Sequence, residues 1–298
     1  MRLRKKTVLR YAWLGLAVLL ILPFIVERSV SVYTDGDRIA EPEETAVPAL
    51  RQILWNPPLS VGDVVNAPDT DEYEPRLSPH GDQLVFTRGR PGENAELYVS
   101  QRIRGRWTAP EPLEVNTEAD EMGASFSADG GTLYFYSNRE GGVGGYDLWR
   151  APLTEEGTWG EAENLGAEVN STWNEMSPVT DEHGRLYFTS DRRSKEGGTK
   201  WNATMRSRLR PAEYDIWVAR AEKADGEGSS AQAFGDAKAL LELSRFGSAE
   251  GTVSVSPFGD FLYFASNRAQ SAPAEGEGGF DLFRVRLDDG SVFGEPEH

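Results

Sequence analysis

Ser127-Ala128-Asp129-Gly130-Gly131-Thr132-Leu133-Tyr134-Phe135-Tyr136-Ser137-Asn138-Arg139, with a second apolar run at Asp147-Leu148-Trp149, decides the fold of this 298-residue chain. Ser-x-Asp-Gly has turn chemistry, with a glycine available for positive φ, and Leu133-Tyr134-Phe135 is a short run of strand formers. A hairpin is expected there, with Asp147-Leu148-Trp149 as a third strand. Upstream, the residues after Asp120-Glu121 make the opening strand. Downstream, an outer strand is expected at Trp159, six residues before Leu165.

The same layout occurs three more times. Asp71-Glu72 leads to Ser78-Pro79-His80-Gly81, Leu84-Val85-Phe86, Arg90 and Glu96-Leu97-Tyr98. Asn174-Glu175 leads to Asp181-Glu182-His183-Gly184, Leu186-Tyr187-Phe188, Ser190-Asp191-Arg192 and Asp215-Ile216-Trp217. Ala249-Glu250 leads to Ser256-Pro257-Phe258-Gly259, Leu262-Tyr263-Phe264, Ser266-Asn267-Arg268 and Asp281-Leu282-Phe283. Glu72, Glu121, Glu175 and Glu250 each precede the turn glycine by nine residues, and Arg90, Arg139, Arg192 and Arg268 each follow the phenylalanine by four. Outer strands are expected at Trp107, Phe234 and Phe293 as well.

Four antiparallel strands, repeated, make a propeller blade, and because one blade cannot cover both of its apolar faces, neighbours must stack. The reading is therefore an all-β propeller of four four-stranded blades, at about residues 67–114, 115–166, 167–242 and 243–298. The Glu and Arg columns are expected to hold blades together as ion pairs, within or between them.

Ser-Ala-Asp-Gly-Gly-x-Leu-Tyr-Phe-x-Ser-Asn-Arg followed by Gly-Gly-Tyr-Asp-Leu-Trp resembles the WD-repeat-like units of TolB-type β-propellers, over about residues 54–298. Such units occur in bacterial envelope proteins, some fused to peptidoglycan-binding domains, and the scaffold serves many tasks. The family usually closes with six or seven blades, whereas only four complete copies occur here. A partial signature, Trp55-Asn56-Pro57-Pro58-Leu59, precedes the first copy, and the pattern stops at His298 one residue before its leucine. An open or truncated propeller is expected in preference to a closed four-blade ring.

Ahead of the repeats, Arg2, Arg4, Lys5, Lys6 and Arg10 form a basic head (residues 1–10), and residues 11–26 carry no charge. At ~1.5 Å per residue that run nearly crosses a ~30 Å hydrocarbon core. The basic flank keeps the N-terminus cytoplasmic and places the rest outside, periplasmic or extracellular. An uncleaved single-pass signal anchor is favoured over a cleaved signal peptide, because no Ala-x-Ala is present and Glu27-Arg28 follows at once. Residues 27–52 read as a tether leading to the repeats at 53–298. The formal charge of −17 repels nucleic acid, and the absence of cysteine excludes disulfides and thiolate chemistry.

Reactive groups are sparse. His80 and His183 fall in turns of different copies, His298 is terminal, and neither a nucleophile elbow nor a phosphate loop is present. Ser127-x-Asp129-x-Gly131 approximates the Asp-box turn of sialidases, itself a structural device. No cofactor is expected; the carboxylates of Asp69-Thr70-Asp71-Glu72 and Asp120-Glu121 suit calcium in type but lack the spacing of a known loop. One departure from the repeat stands out: an insertion between Arg192 and Asp215 carrying Arg192, Arg193, Lys195, Lys200, Trp201, Arg206, Arg208 and Arg210. It reads either as the electrostatic complement of the acidic loop at Glu275 and Glu277 or as a loop that binds an anionic partner. The function expected is a membrane-anchored protein-binding or scaffolding module of the cell envelope whose partner is a protein or a cell-wall polymer. A carbohydrate-active propeller enzyme, and the propeller part of a longer receptor or peptidase, are the alternatives.

Overall fold

Alternation of side chains along short β-rich runs, each stopped by a glycine turn, produces four small sheets. In a computed structural model the described residues are 60–192, 214–222, 233–244, 248–256, 258–268, 280–288 and 291–297. All but Ser60 belong to one compact unit, Val61–His298, and they contain no helix.

The first blade has β1 (Glu72–Leu77), β2 (Gln83–Arg88) and β3 (Glu96–Ile103), edged by the two-residue strands β4 (Arg106–Trp107) and β5 (Glu111–Pro112). The second has β6 (Glu121–Phe126), β7 (Thr132–Ser137), β8 (Asp147–Pro152) and β9 (Glu163–Asn164). In the third, β10 (Glu175–Thr180), β11 (Leu186–Ser190) and β12 (Asp215–Ala219) are followed by a separate ribbon of β13 (Ala221–Glu222) and β14 (Ala233–Phe234), and then by β15 (Lys238–Ala239) against β12. The fourth has β16 (Glu250–Val255), β17 (Phe261–Ser266), β18 (Asp281–Asp288) and β19 (Ser291–Glu297). All neighbours are antiparallel. The turn glycines Gly81, Gly130, Gly184 and Gly259 have φ of 69°, 74°, 72° and 65°, the left-handed region the hairpins require.

The outer strand differs from the expectation in three blades. Trp107 lies on β4, Trp159 makes an isolated bridge to Leu153, and Phe234 pairs with Ala221 on the ribbon. The following leucines sit on another short piece, where the Leu113, Leu165 and Leu240 amides donate to the carbonyls of Leu97, Leu148 and Ile216. Asparagine completes the edge. Asn116 accepts from the Leu97 amide and donates to the Leu97 carbonyl, and Asn170 does the same with Leu148. A side-chain amide thus replaces a backbone ladder, and the outer strand need not be continuous. Only the fourth blade keeps a seven-residue outer strand.

The innermost strands pack in sequence, β1 on β6, β6 on β10, and β10 on β16. Three cores lie between blades. Val85 and Leu97 meet Phe126, Leu133, Phe135 and Trp149; Met122, Tyr136 and Leu148 meet Leu186, Phe188 and Trp217; Tyr187 and Ile216 meet Leu262, Phe264, Phe283 and Val285. Each fully buried side chain of this size contributes roughly 1.5–3 kcal/mol. The fourth junction is thinner. Between β16 and β1 the described link is a hydrogen bond from Arg76 Nη2 to the Val253 carbonyl, 2.7 Å, with no packed core. The arrangement is a four-blade propeller in which three junctions are packed and one is pinned.

Candidate functional site

Each repeated glutamate is the centre of a clip, buried in the second, third and fourth blades and partly buried in the first. Glu121, fully buried, accepts from Ser137 Oγ (2.9 Å), Thr117 Oγ1 (2.7 Å), the Thr117 amide (2.6 Å) and Arg139 (3.0 Å). Arg139 in turn donates to the Val115 carbonyl at 2.8 Å and lies over the rings of Phe135 and Trp149, 4.9 and 5.1 Å from their centroids. In the third blade Glu175 holds Arg192 at 3.3 Å, with Ser171 and Ser190 donating and the guanidinium over Phe188 and Trp217. In the fourth, Glu250 holds Arg268 at 3.2 Å with Ser248 and Ser266, over Phe264 and Phe283. All three pairs lie within a blade. Burial pulls the Arg139 and Arg192 guanidiniums below their usual range, and the paired glutamates oppose it.

The first blade corrects the arginine column. Arg90 does not reach Glu72; it pairs with Asp71 at 3.1 Å on the surface. Arg88 takes its place, 2.9 Å from Glu72, donating to the Val65 carbonyl and lying over Tyr98 and Phe86. The cause is local: Arg88 stands where the other copies have Ser137, Ser190 and Ser266, so a long side chain on the strand itself fills the space that serine leaves for an arginine two residues later.

A second constellation lies two residues beyond each of these glutamates. There the inner strands bulge, between Tyr73 and Arg76, Met122 and Ser125, Met176 and Val179, and Gly251 and Ser254. The left-handed residues are Glu74 (φ 54°), Gly123 (59°), Ser177 (52°) and Thr252 (48°). Glu74 crosses the axis: it accepts from Ser177 Oγ of the third blade and from the Tyr136 hydroxyl of the second, each at 3.0 Å. A Cβ on Gly123 would lie 2.4 Å from Tyr136 Cε1, so glycine is what lets this tyrosine approach. With Arg76 bonded to Val253, two residues of β1 reach the other three blades.

Burial raises the Glu74 carboxyl, while Ser177, Tyr136 and Arg76 pull it back. Burial likewise pushes the Tyr73 hydroxyl up to about 12, with Glu74 and Asp120 adding to it. Sequence reasoning missed this knot because it followed the columns that repeat. Its signal was the column that varies, Glu74, Gly123, Ser177 and Thr252.

Four of the carboxylates considered for calcium are engaged elsewhere. Asp120 accepts from the amides of Gly92 (2.6 Å) and Ala95 (2.9 Å) and from the Tyr146 hydroxyl (2.6 Å), while Asp71, Glu72 and Glu121 hold arginines. Among the described residues no group of three potential metal ligands converges. Asp129 closes its own turn, accepting from Ser127 Oγ and the Gly131 amide. His80 and His183 are exposed in separate turns. Of the basic insertion, only Arg192 is described, and the clip holds it; Arg193, Lys195, Lys200, Trp201, Arg206, Arg208 and Arg210 lie outside the described residues, as does the apolar run 11–26. Among the described residues no helix is long and apolar enough to cross a membrane.

No family model matches the chain, and no curated protein matches it. Solved structures similar to it include TolB from Acinetobacter baumannii, at 15% identity and a TM-score of 0.44, covering 75% of this chain and 43% of that one. A puromycin hydrolase mutant is similar at 16% identity and a TM-score of 0.42, covering 77% of this chain and 32% of that one. A thermostable family-43 glycoside hydrolase is similar at 13% identity and a TM-score of 0.40, covering 76% and 75%.

Proposed function

We propose that this chain is a non-catalytic binding propeller of the cell envelope. Residues 11–26 hold it in the cytoplasmic membrane, the blades stand outside, and the basic insertion after Arg192 engages a protein or cell-wall polymer that carries negative charge. The observation behind this reading is that the repeated carboxylates and guanidiniums of the described residues are spent on ion pairs within each blade. Binding then falls to the departures from the repeat, and the basic insertion is a local reversal of sign in a chain of net charge −17. The test is co-sedimentation of the full-length chain with purified cell-wall polymer at low and high salt. Replacing Arg193, Lys195, Lys200, Arg206, Arg208 and Arg210 by serine is expected to weaken binding roughly tenfold or more and to flatten its salt dependence. Unchanged binding rejects the reading.

A carbohydrate-active enzyme is the second reading, favoured by Glu74, an axial carboxyl whose burial keeps it more readily protonated, as a general acid requires. Glycoside turnover abolished by Glu74→Gln would establish it instead.

A further inference from the structure

Among the described residues the junction of the first and fourth blades hangs on Arg76, and Arg76 has a second partner within reach of its charge. Its described bonds go to carbonyls, Val253 on β16 at 2.7 Å and its own neighbour Pro75 at 3.4 Å, and none goes to a carboxylate. Two positions earlier on the same strand stands Glu74, whose oxygens take the Ser177 and Tyr136 hydroxyls, each at 3.0 Å. Arg76 and Glu74 attract one another when both are charged.

The groups that face Glu74 come from four strands. β1 brings Tyr73 and Arg76, β2 brings Thr87, β7 brings Tyr136 and β10 brings Ser177. Both phenols stay protonated, because burial and the Glu74 carboxylate push them up, Tyr73 to about 12. Asp120, which also acts on Tyr73, is occupied by the Gly92 and Ala95 amides and the Tyr146 hydroxyl. The phenols and hydroxyls are neutral donors, so Arg76 is the positive charge that acts on Glu74. A neutral carboxyl on the axis makes no demand on it. An ionised carboxylate cut off from water does, since neutral hydroxyls leave its charge uncompensated and the guanidinium can balance it.

We propose that the fourth junction is a pH-sensitive seam, in which the Glu74 carboxylate and the Val253 carbonyl compete for the Arg76 guanidinium. With Glu74 protonated, Arg76 pins β16 to β1. With Glu74 ionised, the guanidinium turns to it and the fourth blade parts from the first. The sense follows from linkage: pairing with Arg76 lowers the proton affinity of Glu74, so the parted form binds the proton less tightly and gains as pH rises. Burial places the change above the ordinary carboxyl range. The other three junctions have packed cores and stay closed. Neither Glu74 nor Arg76 belongs to the basic insertion, so the seam and the binding role above fail separately.

The chain has no cysteine, so a pair of introduced labels reports one distance. In the full-length chain in detergent, spin labels at His80→Cys and Phe258→Cys, on exposed turns of the first and fourth blades, are expected to move apart between acid and neutral pH. The shift should exceed the ~3 Å of the hydrogen bond that is lost. Labels at His80→Cys and Ala128→Cys, across the packed junction of the first and second blades, should keep one distance throughout. Glu74→Gln should hold the short first-to-fourth distance in both conditions, and Arg76→Met the long one; if Arg76→Met does not fold, Glu74→Gln decides alone. A first-to-fourth distance that ignores pH overturns the proposal. So does one that still shifts in Glu74→Gln, or an equal shift across the packed junction.

Discussion

Arg139 lies between two aromatic rings and a carboxylate that water does not reach, and removing it strands that carboxylate. Arg139→Met is expected to cost about 3–5 kcal/mol in urea unfolding, the usual penalty for leaving a buried charge unpaired. Arg90→Met, which breaks an exposed pair, should leave the midpoint unchanged. Glu74 is the opposite kind of residue. Its carboxyl is raised above the ordinary value by burial, so the folded state binds its proton more tightly than the unfolded state does. That contribution to stability is present below the unfolded carboxyl range and is lost as pH rises through the raised value. Glu74→Gln removes the charge, keeps one carbonyl acceptor and turns an N–H donor to the other hydroxyl, as the protonated carboxyl does with its O–H. The variant should match wild type in acid and exceed it at neutral pH, and thermal midpoints measured across that range decide the matter. At this scale the clips were legible wherever Ser and Arg kept their spacing, and misread where Arg88 replaced the serine.

At the scale of the strand, the repeated bulge is the element that makes an axis. A left-handed residue two positions beyond the glutamate turns each inner strand, and glycine occupies that place only at Gly123. A β-branched residue pays most for such a backbone, and Thr252 is exposed, with nothing gained from its side chain to offset the strain. Thr252→Gly is expected to stabilise the chain by about 1 kcal/mol, read from urea midpoints; a loss of stability would show that the threonine has an unrecognised role. The hairpins and third strands were readable because turn glycine and alternation act within a few residues. The outer strands were not, because Asn116 and Asn170 meet the edge of the third strand through side chains, which no strand pattern announces.

At the scale of the whole molecule, four equivalent units do not have equivalent surroundings. Three junctions are filled by interdigitating apolar side chains, and the fourth is held by one arginine on a carbonyl. Leu282 has the same place in the repeat as Leu97, Leu148 and Ile216, yet it is 77% exposed where they are buried. The sequence by itself determined the repeated unit, its turns, its strands and the stacking of neighbours, because each rests on propensity and periodicity over short separations. Tertiary structure alone decided which arginine reaches Glu72, how Glu74 meets a serine 103 positions away, and which apolar face stays uncovered. Those outcomes depend on which surfaces come together in space, and distance along the chain does not encode that.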